Sequence, residues 1–300
     1  MNITADGIEI LRAGALTTVQ DLGRPGHAHL GVPRSGALDE AAHRLANHLV
    51  GNDPGAAALE TTLSGLTIRA LTPTVVAVCG AAAPIRLDGR PAPWSAPIAL
   101  NAGQTLDVGP AEHGVRSYVA VAGGVAVEPV LGSRSTDLLS GLGPAPLRDG
   151  DILPIGRAAG PPRPADTYPV TVAVASPPDG SALELPVAPG PRADLFPERA
   201  WNLLTAAEYA VSQTSNRIAL RLDGPPLPRT GPDTIPSEGA IRGAVQVPAD
   251  GRPIVFLADH PPTGGYPVIA VVPESALGLA AQAPPGARLR FRAHATRWAP

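Results

Sequence analysis

The chain contains no lysine, so all 23 of its lysine-plus-arginine residues are arginines. Without lysine it cannot form a Schiff base, and it has neither a Walker A lysine nor an amine that could carry biotin or lipoate. If ATP or a carried cofactor takes part in the function, another polypeptide or an unconventional site must supply those groups. Arginine remains suited to carboxylate and phosphate ligands, because its planar guanidinium binds either through two hydrogen bonds.

Cysteine is also scarce. The single cysteine, Cys79, excludes an internal disulfide and agrees with a reducing compartment. It lies in the run TVVAVCG with no neighbour that would lower its pKa, which is typical of a small buried hydrophobic residue.

Charge and long apolar runs are limited as well. The formal net charge is −3 and no basic run occurs, so a nucleic-acid partner is not expected. Asp6 and Glu9 lie where a signal peptide would carry positive charge. No apolar run approaches the roughly 20 residues of a membrane span. The sequence therefore predicts a soluble cytoplasmic protein without a membrane partner.

The composition favours a mainly β protein. Thirty-seven prolines and 33 glycines, with only 3% aromatic residues, suit many short strands joined by turns. Helices are predicted at 38–49, 197–209 and 274–282, the first from its apolar spacing and from Gly51 as its stop. Strands are predicted at 7–14, 66–71, 74–79, 84–87, 105–108, 115–121, 170–175, 183–187, 217–222, 244–247, 254–258 and 268–272.

The domain boundary is predicted near residue 160. Residues 156–169, GRAAGPPRPADTYP, contain four prolines and little to bury, which is typical of a semi-rigid linker. Residues 1–160 and 161–300 are therefore predicted to form two domains.

The segment 17–40 is the richest in chemistry, and a loop from about Thr18 to Arg34 is predicted within it. Gln20, Asp21 and Arg24 could bind a substrate or an anion there. Equally, an internal pair of Asp21 with Arg24 could hold the loop shut. Two histidines in the same loop do not make a metal site without a third ligand, so no metal is predicted. The histidines of the following helix, at 43 and 48, are interpreted as surface residues.

A second segment, 254–272, consists of two apolar strands around the turn residues of DHPPTGGYP. Backbone amides at Gly264 and Gly265 could cradle a carboxylate or phosphate, with hydroxyls from Thr263 and Tyr266. The alternative is a long hairpin loop. Function is favoured modestly, because a simple hairpin needs only two to five loop residues.

Two shorter segments, SQTSNR at 212–217 and GSRST at 132–136, each combine an arginine with hydroxyl groups. This combination suits oxyanion binding, and it suits ordinary capping of a strand end even better.

Several motifs in order resemble the group of 5-oxoprolinase C subunits, also called KipA-like or allophanate hydrolase subunit 2-like, of the biotin-dependent carboxyltransferase family. The resemblance spans nearly the whole chain. It rests on TTVQDLGRPG at 17–26, GVPRSGALDE at 31–40, RLANHLVGN at 44–52, ALE at 58–60, VAGG at 121–124, VLGSRST at 130–136, VSQTSNR at 211–217, VQVP at 245–248 and TGGYP at 263–267.

The resemblance implies two cyclophilin-like β-barrel subdomains with a few short helices. It also implies a cytoplasmic protein that works with a KipI-like B subunit, together with a 5-oxoprolinase A subunit, on a small-molecule amide, opening 5-oxoproline to L-glutamate. ATP with magnesium would be bound by the assembled complex, and no biotin would be carried covalently on this chain.

The resemblance also implies site residues and two alternative functions. The catalytic candidates are Asp259, Arg24 and Tyr266. The substrate-binding candidates are Gln20, Asp21, Arg134, Asn216, Arg217, Thr263, Gly264 and Gly265. One alternative is a carboxyltransferase acting on a urea-like amide with biotin on another protein, and the other is a non-catalytic regulator that binds a KipI-like partner.

The sequence departs from the family where many members have an arginine and a glutamine after the strand-end aspartate and a basic residue after TGGYP. These positions are His260, Pro261 and Val268 here, which changes the charge beside the expected cleft.

Overall fold

The computed structural model describes residues 7–164 and 181–294. By its contacts the chain divides into two compact units. Within the described residues, the first unit comprises 7–24, 35–137 and 141–164, and the second comprises 25–34, 138–140 and 181–294. The end of the expected linker, at 165–169, and the predicted strand at 170–175 lie outside the described residues.

The first unit contains eleven strands and one α-helix within its described residues. The strands are β1 Gly7–Arg12, β2 Thr17–Gln20, β3 Ala58–Thr62, β4 Leu66–Ala70, β5 Thr74–Ala82, β6 Ile85–Leu87, β7 Arg90–Pro91, β8 Ile98–Leu100, β9 Thr105–Val108, β10 His113–Val121 and β11 Ile152–Pro154, and the helix is α1 Glu40–Leu49.

These strands form two antiparallel sheets, in the orders β11-β1-β4-β9-β6-β7 and β2-β3-β10-β5-β8. Alternating side chains of a strand point to opposite faces, so β1 and β4 each direct a row of apolar residues to one side. Ile8, Ile10 and Ile68 from the first sheet form one buried core with Val19 and Leu59 from the second.

Helix α1 packs on the opposite face of the second sheet, where Leu45 and Leu49 join a core with Ala77 and Tyr118. The Asp39 carboxylate accepts from the N–H of Ala42 at 3.1 Å and caps the first turn. The predicted helix is confirmed to within two residues at its start.

Cys79 of β5 is buried. Its burial raises the pKa of the thiol to about 12, which leaves the sulfur protonated and unreactive at neutral pH. The interpretation of Cys79 as a buried hydrophobic residue is confirmed.

The second unit contains nine strands, two α-helices and three short 3-10 helices within its described residues. The strands are β12 Leu183–Pro189, β13 Tyr209–Val211, β14 Ala219–Asp223, β15 Glu238–Gly239, β16 Ala244–Gln246, β17 Ile254–Phe256, β18 Thr263–Gly264, β19 Val268–Val271 and β20 Arg288–Ala293. The helices are α2 Glu198–Ala206, α3 Leu277–Ala281 and the 3-10 turns Ala28–Leu30, Ala193–Leu195 and Glu274–Ala276.

Seven of these strands close into a barrel in the order β12-β19-β16-β17-β14-β13-β20, with β12 and β20 pairing in parallel. Strand β20 buries Leu289 and Phe291, which alternate with arginines, as expected for a half-buried strand. The two remaining strands, β15 and β18, form a separate antiparallel ribbon.

The prediction of a mainly β protein with a few short helices is confirmed. The second unit contains a closed barrel, and the two sheets around one core in the first unit are consistent with the other predicted barrel subdomain. In the part of the chain that the structure describes, no helix is both long and apolar enough to span a bilayer.

Candidate functional site

Four of the predicted site residues lie in the first unit, around the end of β2. Asp21 is their centre, and its carboxylate accepts four hydrogen bonds. Oδ1 accepts from the N–H of Gly23 at 2.7 Å and from the hydroxyls of Ser133 and Ser135 at 2.6 Å each, and Oδ2 accepts from the N–H of Arg134 at 2.6 Å. Asp21 therefore fastens the 133–135 segment to the end of β2.

Arg24 holds the same segment through different groups. Its guanidinium donates to the backbone carbonyls of Val130 and Ser135, and the side chain is buried. The Arg134 side chain is half-buried and donates from Nε to the carbonyl of Val127 at 2.7 Å. These contacts show how the loop is held in place, while the roles of Asp21, Arg24 and Arg134 in substrate binding or catalysis stay predictions.

A close backbone approach completes this arrangement. Gly36 has a φ of 95°, and a Cβ there would lie 2.8 Å from the backbone nitrogen of Gly23. The N–H of Ala37 donates to the carbonyl of Asp21 at 2.9 Å. Only glycine fits between these two backbone segments. The loop expected to begin at Thr18 in fact begins after Gln20, because residues 17–20 form β2.

Gln20 is buried at the end of β2. Its side-chain Nε2 donates to the carbonyl of Thr136 at 2.9 Å. The backbone carbonyl oxygen of Gln20 lies 3.1 Å from Nε2 of His43 in α1. His43 is fully buried, so the interpretation of this histidine as a surface residue is wrong. Burial lowers the pKa of His43 below its ordinary 6.5, although the hydrogen bond to Gln20 acts in the opposite direction.

This histidine predicts a pH dependence of stability. Its folded-state pKa is lowered, so below about pH 6.5 the unfolded chain takes up a proton that the folded chain does not. Stability should therefore fall as the pH decreases through 6.5, by at most about 1.4 kcal/mol per pH unit from this group. Urea unfolding at pH 7.5 and 5.5 measures this fall in the free energy of unfolding. The fall should be smaller in His43→Gln, whereas His29→Gln, at an exposed position, should show the same fall as the parent chain. If the parent chain and His43→Gln lost the same free energy of unfolding between pH 7.5 and 5.5, His43 would not be the group responsible.

In the second unit, Arg217 and Asp259 form a buried ion pair. Nε and Nη2 of Arg217 each donate to a carboxylate oxygen of Asp259 at 3.0 Å, and neither side chain is exposed. Oδ2 of Asp259 also accepts from the N–H of Leu138 at 3.1 Å. Asn216 caps the turn before β14, where its Oδ1 accepts from the N–H of Ile218 at 2.8 Å.

The first two residues of the TGGYP segment form β18, which belongs to the β15–β18 ribbon rather than to an open loop. Thr263 and Gly264 pair with β15, and Gly265 accepts from the N–H of Ile235 at 2.8 Å. A Cβ on Gly264 would lie 2.7 Å from Nε2 of Gln246, which donates to the carbonyl of Tyr266 at 2.9 Å. Neither glycine has a positive φ, so the left-handed turn that many amide nests use is not formed here.

A pocket of about 400 Å³ lies within the second unit, and its polar members were not predicted as site residues from the sequence. It is lined by Arg34, Arg242, His260, Glu274, Ile241 and Leu277, among others. We call it the His260 pocket. Nδ1 of His260 lies 2.8 Å from the carbonyl of Pro261, and the ring stacks on Phe256 at 5.6 Å. Among the residues that the structure describes, no group of three or more His, Cys, Asp or Glu side chains could hold a metal ion.

The chain matches a known domain family and named relatives. Residues 30–293 match the carboxyltransferase domain, subdomain A and B. The chain is 41% identical to the 5-oxoprolinase C subunit of Escherichia coli (strain K12), over 95% of this chain and 90% of that protein. It is 31% identical to the 5-oxoprolinase C subunit of Haemophilus influenzae, over 95% of this chain and 91% of that protein. It is also 33% identical to the urea amidolyase of Lachancea kluyveri, but it covers only 17% of that protein.

Solved structures show the same two similarities. The crystal structure of TTHA0988 superposes with a TM-score of 0.85 at 37% identity, over 96% of this chain and 55% of that one. The urea amidolyase of K. lactis superposes with a TM-score of 0.87 at 30% identity, over 97% of this chain and 19% of that one. The chain thus spans about half of the first solved protein and about a fifth of the second.

Proposed function

Because the chain belongs to the family of the carboxyltransferase domain, subdomain A and B, we propose that it is the C subunit of an ATP-dependent 5-oxoprolinase. This enzyme would open 5-oxoproline to L-glutamate with the help of a KipI-like B subunit, together with a 5-oxoprolinase A subunit. The substrate would be a small cyclic amide, and the complex would be cytoplasmic.

One observation carries this proposal: the chain is similar to the 5-oxoprolinase C subunits along almost their whole length. It covers 90% of the E. coli protein and 91% of the H. influenzae protein, whereas it covers 17% of the L. kluyveri urea amidolyase.

The described helices do not fit the triphosphate of ATP. A helix that binds phosphate leaves its first N–H groups to the ligand. In α1, Asp39 occupies the N-cap position and its carboxylate already accepts from the Ala42 N–H. Helix α2 begins with Glu198, which would repel a phosphate, and α3 has only five residues. Since the chain also lacks lysine, we assign ATP and magnesium to the other subunits of the assembled complex.

The remaining task of this chain is to bind and orient the amide substrate. A lactam carbonyl is unreactive until its oxygen is activated, most directly by phosphorylation, and the carboxylate of the substrate needs a cationic partner. Because the sequence has no lysine, arginine is its only side chain with a permanent positive charge, so an arginine is the expected partner of that carboxylate.

Reconstitution tests the proposal. The purified chain is mixed with the KipI-like and 5-oxoprolinase partner subunits, ATP with magnesium and 5-oxoproline, and L-glutamate is measured. Glutamate should be released by the complete mixture, and omitting this chain should abolish the release. A complete mixture of folded subunits that releases no glutamate would overturn the proposal.

A second candidate function is a carboxyltransferase subunit that acts on a urea-like amide with biotin carried on another protein. The family match and the superposition on the K. lactis urea amidolyase favour it. Transfer of the carboxyl group from a carrier protein bearing carboxylated biotin to urea in the presence of the chain, without glutamate release from 5-oxoproline, would support this candidate instead.

A further inference from the structure

Position 43 places a polar ring among the mostly apolar buried side chains of α1. Ala42, Leu45, Ala46 and Leu49 of the helix are buried and apolar. His43 is fully buried too, and its Nδ1 has no hydrogen-bond partner among the described residues. Burying an unpaired ring nitrogen costs free energy that an apolar residue at this position would avoid. What a histidine offers here, and an apolar residue does not, is a hydrogen bond from its other nitrogen.

That other nitrogen, Nε2, fixes the tautomer of the ring. It lies 3.1 Å from the backbone carbonyl oxygen of Gln20, and 3.4 Å from Nδ2 of Asn47. The Asn47 amide donates more closely to the Ala56 carbonyl, at 2.8 Å. A carbonyl oxygen can only accept, so the shorter contact places the hydrogen on Nε2 and leaves Nδ1 bare. Burial lowers the pKa of His43, which keeps the ring neutral at pH 7.

The hydrogen bond to Gln20 reaches the 133–135 segment in two steps. Gln20 is the last residue of β2, and the next residue is Asp21. The Asp21 carboxylate accepts from the N–H of Gly23 and from the N–H of Arg134. All of these residues belong to the first unit. A shift at the end of β2 would therefore be transmitted to the backbone of Arg134.

The Arg134 guanidinium is fixed at its base and open at its outer nitrogens. Nε donates to the carbonyl of Val127 at 2.7 Å. Within the part of the chain that the structure describes, Nη1 and Nη2 take part in neither a hydrogen bond nor an ion pair. A half-buried guanidinium of this kind can bind a carboxylate through two parallel hydrogen bonds, provided that its position is held.

We propose that His43 is the positioning residue of the 133–135 segment: its Nε2–H holds the end of β2, and Asp21 transmits that position to Arg134. Because His43 is fully buried, it acts through these residues and not by touching a substrate. It sets where the outer nitrogens of Arg134 meet an anion. The identity of that anion, the carboxylate of 5-oxoproline, rests on the proposed function, whereas the positioning does not.

Nitrogen-15 NMR of the parent chain with labelled histidine tests the first step without a destabilising change. The His43 signals are identified by their absence from the spectrum of His43→Gln. At pH 7 they should show a hydrogen on Nε2 and a bare Nδ1. The opposite tautomer would leave Gln20 without its donor and would overturn the proposal, and this measurement decides the matter if further variants of His43 do not fold.

Hydrogen exchange of the full chain tests the second step. His43→Leu removes the donor and keeps an apolar side chain at the buried position. The amides of Gly23 and Arg134 should then exchange about three- to tenfold faster relative to the amide of Ile68, because one hydrogen bond that holds their segment is lost. Ile68 lies in β4, inside the other sheet of the unit, and reports any loss of overall stability.

Two matched variants separate positioning from general stability. His43→Gln keeps a side-chain N–H for the Gln20 carbonyl and should restore the parent exchange ratio to within about twofold. Leu45→Ala removes packing from the same helix but no hydrogen bond to β2, so it should not speed Arg134 relative to Ile68. Equal exchange ratios in folded His43→Leu and Leu45→Ala would show a merely structural histidine and overturn the proposal.

The failure of this inference can be told apart from the failure of the proposed function. In the reconstituted complex, His43→Leu should raise the KM for 5-oxoproline more than it lowers kcat, and His43→Gln should restore the KM. No glutamate release by the parent complex, with the expected exchange ratios, would count against the function and support the positioning role. Glutamate release by the parent complex, with equal exchange ratios in His43→Leu and Leu45→Ala, would support the function and overturn the positioning role.

Discussion

Asp259→Asn is expected to lower the free energy of unfolding by about 3–5 kcal/mol, the usual cost of removing one partner from a buried ion pair. Arg217 and Asp259 are both fully buried and share two hydrogen bonds of 3.0 Å. Asparagine keeps the shape of the side chain but not its charge, so the buried Arg217 guanidinium would lose the counter-charge of Asp259. Chemical denaturation at pH 7 measures the loss.

Two further variants make this prediction specific. Asp194→Asn changes an exposed aspartate of the same unit and should alter stability by less than about 0.5 kcal/mol. Arg217→Met combined with Asp259→Leu removes both charges of the pair and should be more stable than Asp259→Asn, because neither charge of the pair is then buried without the other. Equal losses in Asp259→Asn and Asp194→Asn would show that the pair does not stabilise the fold.

This pair also bears on the predicted catalytic role of Asp259. Both carboxylate oxygens accept from Arg217, and Oδ2 accepts from Leu138 as well. A carboxylate held in this way orders the segment around residue 138. Its assignment as a catalytic residue stays a prediction, and a variant without activity would have to be shown to be folded before it supports that role.

The sequence predicted elements with a clear apolar pattern and missed those that bury polar groups. Helix α1 was predictable from its apolar spacing, and so were β9 and β12 from their alternation. Strand β3, with the sequence ALETT, has no such pattern. Its Glu60 is nevertheless buried, and the buried carboxylate accepts a hydrogen bond from the Tyr118 hydroxyl at 2.8 Å. Such a contact joins residues 58 positions apart and leaves no trace in local periodicity.

The same limit applies to the candidate site. Motifs located the loop residues Asp21 and Arg24, but their serine and carbonyl partners are more than 100 positions away. The His260 pocket combines Arg34 with residues between 240 and 277, and no spacing in the sequence relates them. Sequence motifs thus identify chemistry-bearing residues, whereas the fold determines which of them meet.

Asp21→Asn is expected to lower the free energy of unfolding by about 2–4 kcal/mol, because charge-assisted hydrogen bonds contribute about 1.5–3 kcal/mol each and are not additive. The four groups around this carboxylate are all donors. An asparagine would direct its own NH₂ group either at the Arg134 N–H or at the donors of Gly23, Ser133 and Ser135. The serine hydroxyls can rotate away, but the backbone N–H groups cannot.

The chain offers a matched control at Asp53. Its Oδ1 accepts from the N–H of Gly55 at 2.8 Å, as Oδ1 of Asp21 accepts from the N–H of Gly23. Asp53 is exposed, so Asp53→Asn should cost less than about 1 kcal/mol. Denaturation gives both values, and hydrogen exchange should show faster exchange of the Arg134 amide only in Asp21→Asn. If the two variants were equally stable, with the Arg134 amide equally protected, Asp21 would not be what fastens the 133–135 segment to β2.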